Sequence, residues 1–454
     1  MRGLVLALTF FGLLPRVFWY PFLGILMWFW ISLMNPHKEV AGFFATLPYA
    51  LIVAVVTILA WMASKERKSP PNDKITWLLC AIAVWVSITS LMAISPPEDV
   101  YEKWVLVIKM MGMTILAYTL TNTRKRLDML IVVCAFSIAV YGIKGGVFTI
   151  MRGGIFRVWG PDGTMIGDNN DLGVALVMYM PLLFYTLGLC KQRWLKWLVI
   201  VSIGLTFIGS LFTYSRGGLL AMVVMGTMLW IRTKRKIAIT LVAAIAVWGV
   251  WNYAPSEWLD RMNSIQNYQQ DGSAESRLLM WQLSWDMALK HPLTGAGFRA
   301  LYDYKMVNRE LADDNVPQLT LPRSPHSIWF EMLGDHGFVG LGLFIILFLS
   351  SMFDARWVMR RTRKRPDLQW ANNLGRMLQA SLVGYATGGS FATLAMYDGY
   401  YVLVIIIAVV RQLVAAELAV TQPAEAPAEI PRVREPALVR LGEAQPTAAS
   451  RLSS

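Results

Sequence analysis

The sequence predicts an all-α polytopic membrane protein with about twelve transmembrane helices and one large helical loop on the outer face. Three observations predict it. Hydrophobic residues make up 56% of the chain and charged residues only 16%, where a soluble domain carries about 25% charge; the mean hydropathy is +0.47. Apolar runs close to the roughly 20 residues that cross a bilayer as helix recur along the chain. The connections between those runs alternate between rich and poor in Lys and Arg. The same composition excludes disorder for the bulk of the chain. Cys80, Cys134 and Cys190 lie within or at the end of apolar runs, so neither a disulfide framework nor a zinc site is expected. The net charge of +13 sits in short clusters between apolar runs. That is the pattern of a membrane protein and not of a basic face for nucleic acid.

The first apolar stretch, residues 3–34, is too long for one straight helix. Pro15, Arg16 and Pro21 interrupt it, so a kink or a short re-entrant pair is expected. No small-residue cleavage site follows, and the stretch reads as retained in place of a cleaved leader. Further spans are expected at 43–63, 74–94, 103–121, 127–149, 172–189, 194–213, 217–232 and 236–252, then at 326–353, 376–393 and 398–416. The loops at 64–75, 122–128, 190–196, 232–236 and 354–376 hold 4, 3, 3, 4 and 7 Lys or Arg. The alternate short loops hold only Lys38, Lys103, Arg152, Arg157 and Arg216. The positive-inside rule puts the basic set in the cytoplasm, with both termini on that side. The chain thus divides into nine spans over 1–252, an outer loop over 253–325, three spans over 326–416, and a tail over 417–454.

The 73-residue connection 253–325 is too long to be structureless. Trp281, Leu283, Trp285, Met287 and Ala288 in SRLLMWQLSWDMALKHP alternate with polar residues as in an amphipathic helix. Such a helix suits the membrane surface or the mouth of a cavity, and His291 in KHP reads as its stop. The tail, with five prolines among Ala, Glu and Ser, reads as a disordered extension.

The outer face collects cations against the usual charge bias. Arg152 and Arg157 flank MRGGIFRVWGPDGTMIGDNNDLG, Arg216 sits in TYSRGG, and Arg261, Arg277, Arg299 and Arg323 lie in the large loop. A charge near hydrocarbon is costly unless paired or functional, and Arg suits bidentate contact with phosphate oxygens. Several converging on a lipid-proximal cavity would hold a lipid diphosphate, whereas solvated loop charges paired with Asp260, Glu275 or Asp286 would hold nothing. His326, in RSPHSIWFEMLGDHG, stands at the outer end of a span. Its imidazole is the natural group to take a hydroxyl proton near neutral pH. His336 lies deeper, in a possible helix break at GDHG, as a structural partner. The chain has no H-E-x-x-H, Walker loop or G-x-S-x-G and no outer D-x-D, Asp313 and Asp314 being adjacent. No metal site or cofactor is expected, because preorganised arginines can neutralise a diphosphate leaving group.

The order TYSRGG, ESRLLMW, KHPLTGAGFR, PHSIWFEMLGDHGFVGL resembles the O-antigen ligase superfamily. LLPRVFWYPFLGILMWFWISLMNPH, EKWVLVIKMM and YGIKGGVFTIMRGGIFRVWGPDGTMIGDNN resemble its O-glycosylation ligase branch. The resemblance covers nearly all of residues 1–416. It implies a GT-C-like glycosyltransferase of the bacterial inner membrane, working at the periplasmic face. Such enzymes take a glycan from undecaprenyl diphosphate and pass it to a hydroxyl of the lipid A–core oligosaccharide. The arginine of the family's S-R-G motif matches Arg216, its loop arginine after an acidic residue matches Arg277, and its histidine before the late span matches His326. Arg299 matches the G-x-G-F block. The family more often has Asn after this histidine; Ser327 stands here, so no role carries over to that position. The reading of the residues agrees. His326 would abstract the acceptor proton, while Arg216 and Arg277, helped by Arg152, Arg157, Arg299 or Arg323, would hold the diphosphate. The reaction would invert configuration without a metal.

Two other readings share these features. An O-antigen polymerase or a protein O-glycosyl ligase would differ only in the acceptor. A transporter or flippase of an anionic lipid or metabolite would instead need charges deep in the bundle reachable from both faces. Lys109 and Lys144 lie within the expected spans, and neither has an obvious partner in sequence.

Overall fold

The computed structural model describes residues 2–233, 235–263, 272–312, 319 and 323–421. The expected tail beyond 421 and the pair at 313–314 fall outside them. Every described element is helical. The first stretch breaks where its prolines stand: α1 (Arg2–Leu13) gives way to a 3-10 turn over Leu14–Phe18, and α2 (Pro21–Met34) starts afresh on Pro21. Then follow α3 (Phe43–Thr46), α4 (Tyr49–Ala63), α5 (Lys74–Leu91), α6 (Pro97–Leu120), α7 (Arg124–Arg152), α8 (Asn169–Leu189), α9 (Arg193–Leu211), α10 (Arg216–Arg232) and α11 (Lys236–Tyr253). The large connection carries α12 (Ser256–Asn263), α13 (Gly272–Lys290) and α14 (Tyr304–Glu310), and the chain continues through α15 (Ile328–Thr362), α16 (Gln369–Gly389) and α17 (Asp398–Thr421). Contacts divide it into two units, Met1–Val414 and Ala415–Ser454.

Helices therefore cover each of the twelve expected stretches, and the protein is a multi-pass membrane protein. Among the described residues, eight helices are long and apolar enough to cross a bilayer: α5 to α9, α11, α15 and α17. α2 and α4 are apolar but shorter. α16 carries Asn372, Asn373, Arg376, Gln379 and Ser381 along its length and packs against α8, α10 and α15; Asn372, Gln379 and Ser381 are buried among helices, and Asn373 is exposed. α11 has no buried side chain at all, and Val242, Ile245, Trp248 and Trp251 are each more than 60% exposed. Such a surface is stable facing lipid and not facing water.

Local sequence sets the helix ends. Asp73 accepts from the Ile75 and Thr76 amides, Thr123 from Arg126, Asp168 from Asn170 and Ser215 from Gly218. Each satisfies an amide that the first helical turn leaves free. α7 and α9 meet over small residues: a Cβ on Gly146 would come within 2.2 Å of the Leu205 carbonyl oxygen. Such close approach of backbones is how helices gain packing in a lipid solvent.

The large connection has its own core, built from Met280, Leu283 and Met287 of α13 with Ala296, Leu301, Val307 and Leu311. α13 docks on α15, and α15 is broken there. Gly337 sits at φ 66°, ψ −171° inside that helix. The chain following α13 fills the break: Ala296 and Gly297 donate to the Gly334 and Asp335 carbonyls at 2.9 Å, and the Phe338 amide donates to Pro292 at 2.9 Å. The break in the helix ladder is thus satisfied by loop backbone, as a buried or membrane-embedded break requires. His336, in that break, holds Thr89 Oγ1 at 2.7 Å through Nδ1 and meets Phe298 edge-on, its ring centroids 4.6 Å apart.

Candidate active site

α15 begins two residues after His326, and the segment before it is tightly held. The Pro325 carbonyl accepts from Trp281 Nε1 of α13 at 2.8 Å, and Trp281 stacks on Phe330 with centroids 5.2 Å apart. His326 has φ +44°, a left-handed conformation that costs a non-glycine residue about 1–3 kcal/mol and persists only where surroundings enforce it. Its amide donates to Ser324 Oγ at 3.3 Å, and its Nδ1 lies 3.5 Å from Thr393 Oγ1, which also bonds Ser324 Oγ. Among the described residues none hydrogen-bonds Nε2, so one edge of the ring is anchored and the other is presented.

α13 brings Arg277 within electrostatic reach of both His326 and Asp171. Arg323 Nη1 donates to Ser276 Oγ at 2.7 Å, next to Arg277 in sequence. His326, outside the spanning helix, titrates below its ordinary 6.5: burial disfavours its charged form, Arg277 adds to that, and Asp168 opposes it. At neutral pH the ring is therefore the free base that proton abstraction needs.

The Arg216 turn abuts the same region. Asn169 Nδ2 donates to the Thr213 carbonyl at 2.7 Å, Ser215 packs on Gly173, and Gly217 packs on Phe391. Asp171 Oδ1 accepts from the Thr393 amide at 2.9 Å, and Glu331 Oε2 accepts from Ala395 at 3.0 Å. The N-termini of α8, α10 and α15 thereby share one neighbour, the loop between α16 and α17, and each contributes the partial positive charge of a helix start. Asp171→Ala is expected to lower thermal stability by about 1–3 kcal/mol, because the Thr393 amide loses a buried acceptor. A melting curve in detergent unchanged from that of the parent protein would reject this anchoring.

The remaining arginines are placed differently. Arg152 is exposed at the C-terminal end of α7. Arg157 is exposed and lies over the Tyr214 ring, 5.7 Å from its centroid; the Tyr214 hydroxyl donates to the Gly154 carbonyl at 2.8 Å, so this pair adjoins the Arg216 turn. Arg299 faces Asp99 at 3.6 Å and Glu102 at 3.4 Å at the start of α6, an ion pairing that sequence did not suggest. Sequence reasoning also passed over Asp168, Asp171, Glu331 and Thr393. Glu331 and Asp335, four apart in an apolar helix and both buried, were legible as intramembrane charges. Among the described residues no three His, Cys, Asp or Glu side chains gather as metal ligands do.

Residues 201–345 match the family model described as O-antigen ligase. Residues 1–188 match a family of unknown function. No curated protein matches the chain. The first match spans the Arg216 turn, α13 and His326, and it supports ligase-type glycosyl transfer on lipid-linked substrates in general.

Proposed function

We propose that this chain, which belongs to the O-antigen ligase superfamily, moves a glycan from undecaprenyl diphosphate to a hydroxyl of the lipid A–core oligosaccharide. The setting is the periplasmic face of the bacterial inner membrane, in a GT-C-like bundle of about twelve spans. The observation that carries this reading is His326: strained, anchored through Nδ1, without a hydrogen bond to Nε2 among the described residues, and within electrostatic reach of Arg277.

The acceptor hydroxyl gives its proton to His326 Nε2 as its oxygen attacks the anomeric carbon. The bond from that carbon to the diphosphate oxygen breaks, its electron pair stays with undecaprenyl diphosphate, and the displacement inverts configuration. Arg216 and Arg277, with Arg323 and Arg157 beside them, and Arg152 and Arg299 at the margin, neutralise the charge that develops on the leaving group. The buried acids Glu331 and Asp335 lie in the first turns of α15, at the His326 end. That polarity favours chemistry at one face over transport through the bundle.

The purified full chain, given lipid-linked glycan and lipid A–core in detergent, is expected to form the covalent adduct with no membrane compartments present. Failure there with vectorial movement in vesicles would establish transport instead. The rate constant kcat/KM is expected to fall on acidification through an apparent pKa below 6.5, as His326 protonates. Arg277→Gln removes an influence that lowers that pKa, so the acid limb moves to higher pH. Asp168→Asn removes one that raises it, so the limb moves to lower pH. Residual activity of the two variants, followed against pH, checks the sign; displacement of both limbs in the same direction overturns the assignment of His326 as base.

A further inference from the structure

α15 runs 35 residues from the His326 region to Thr362, about 50 Å of helix at 1.5 Å per residue. At its far end, the last turn of α10 and the first half of α16 close with it around a cavity of about 570 Å³. Arg232, Arg356, Arg360, Arg363 and Arg376 line it, with Gln379. A second cavity of about 620 Å³ shares Arg232, Arg363 and Arg376 with the first. None of the five arginines forms an ion pair with a described residue. The nearby acids are committed elsewhere, Asp354 to Lys74 at 2.8 Å and Arg411 at 3.2 Å, and Asp367 to Arg365 at 2.7 Å. Arg232 lies within electrostatic reach of Arg356 and Arg376, so like charges face one another without compensation. Gln379 is 6% exposed, and its side-chain oxygen has no partner.

One face of α15 says what fills the cavity. Ile346, Leu349 and Phe353 are 50%, 44% and 61% exposed, and Arg356 and Arg360 continue the same three- and four-residue spacing, also exposed. Residues so spaced share a helix face. An apolar track therefore leads straight to the arginines, which is the layout of acyl chains below a phosphate head group. Trp230 and Trp357, beside Arg232 and Arg356 in sequence, are the residues expected at that depth.

We propose that this cavity binds an anionic glycerophospholipid with two phosphodiesters bridged by glycerol. The arginines take the phosphates, Gln379 Oε1 accepts from the bridging glycerol hydroxyl, and the acyl chains lie along Ile346, Leu349 and Phe353. Basic pockets between membrane helices recognise such head groups through the same chemistry. The cavity is within the roughly 300–1,000 Å³ of small-molecule sites, larger than one phosphate needs. The site is independent of the glycan-transfer reading, because it lies at the other end of α15.

The test measures cardiolipin binding by the full chain in phosphatidylcholine nanodiscs, with phosphatidylglycerol and soluble pyrophosphate as competitors. Cardiolipin is expected to bind saturably and more tightly than phosphatidylglycerol. The variant Arg232→Gln/Arg363→Gln/Arg376→Gln should lose about a hundredfold in affinity, from about 1 kcal/mol for each charge. Lys191→Gln/Lys196→Gln, in a different basic loop, should bind as the parent does. Phe353→Asp should weaken lipid binding, and an unchanged melting temperature shows that each variant is folded. Parent-like binding by the triple variant overturns the site. Equal affinity for phosphatidylglycerol overturns the two-phosphate assignment, and displacement by pyrophosphate at the lipid's own affinity overturns the lipid as the source of the anion.

Discussion

His326→Ala lowers glycan transfer by about 10²–10⁴-fold, the usual contribution of a positioned general base, while the protein still inserts and melts as the parent does. The expectation rests on two features of one residue. Among the described residues the ring is held by hydrogen bonding only at Nδ1, by Thr393, so deleting it removes one 3.5 Å contact and leaves the Trp281 bond to the Pro325 carbonyl in place. The backbone is in a left-handed conformation that is strained for any side chain with a Cβ, so the substitution leaves that strain in place. Stability and activity should therefore separate. His326→Gln keeps a polar side chain of similar reach but no basic nitrogen, and should be as inactive. Transfer by either variant within a few-fold of the parent would refute the base assignment. Arg216→Ala is expected to lose activity with the protein folded, since Ser215 and not Arg216 caps α10.

Much of this arrangement was legible in the sequence, and the reasons are physical. The bilayer imposes length and apolarity on every crossing helix, so composition alone locates the helices, and Pro15 and Pro21 mark the interruption of the first stretch. The amphipathic pattern around Trp281 becomes α13, which stops at Lys290, just before His291. Arg277 and His326 belong to segments that the ESRLLMW and PHS motifs already singled out. What was not legible depends on contacts between segments far apart in the chain. Arg299 meets Asp99 and Glu102 some two hundred residues away; nothing local to Arg299 foretells those partners. Asp168 reads in sequence as a loop acid before a helix, and it is indeed the cap of α8. Its electrostatic effect on His326 arises only because α8 and α15 both start against the loop between α16 and α17. The loop between α16 and α17 has no charged motif of its own, yet its Thr393 and Ala395 amides are where Asp171 and Glu331 end.

Gly337→Ala is expected to abolish transfer for a different reason. The conformation φ 66°, ψ −171° is open essentially to glycine alone and costs other residues about 1–3 kcal/mol. An added Cβ would also lie 2.3 Å from the Leu293 carbonyl oxygen, and Gly295 reciprocates with a Cβ position 2.6 Å from the Gly334 carbonyl oxygen. α15 can relieve this only by closing into a continuous helix. The Phe338 amide would then return to Gly334, and the Ala296, Gly297 and Pro292 backbone groups would lose their partners. Those residues directly follow α13, so the helix that presents Arg277 to His326 would lose its anchor on α15. Helix content should stay constant or rise while the large connection becomes sensitive to protease and activity disappears. Gly342→Ala, on the same helix with open space around its Cβ position, should change neither. If Gly337→Ala were as active and as protease-resistant as Gly342→Ala, the break in α15 would have no part in assembling the site.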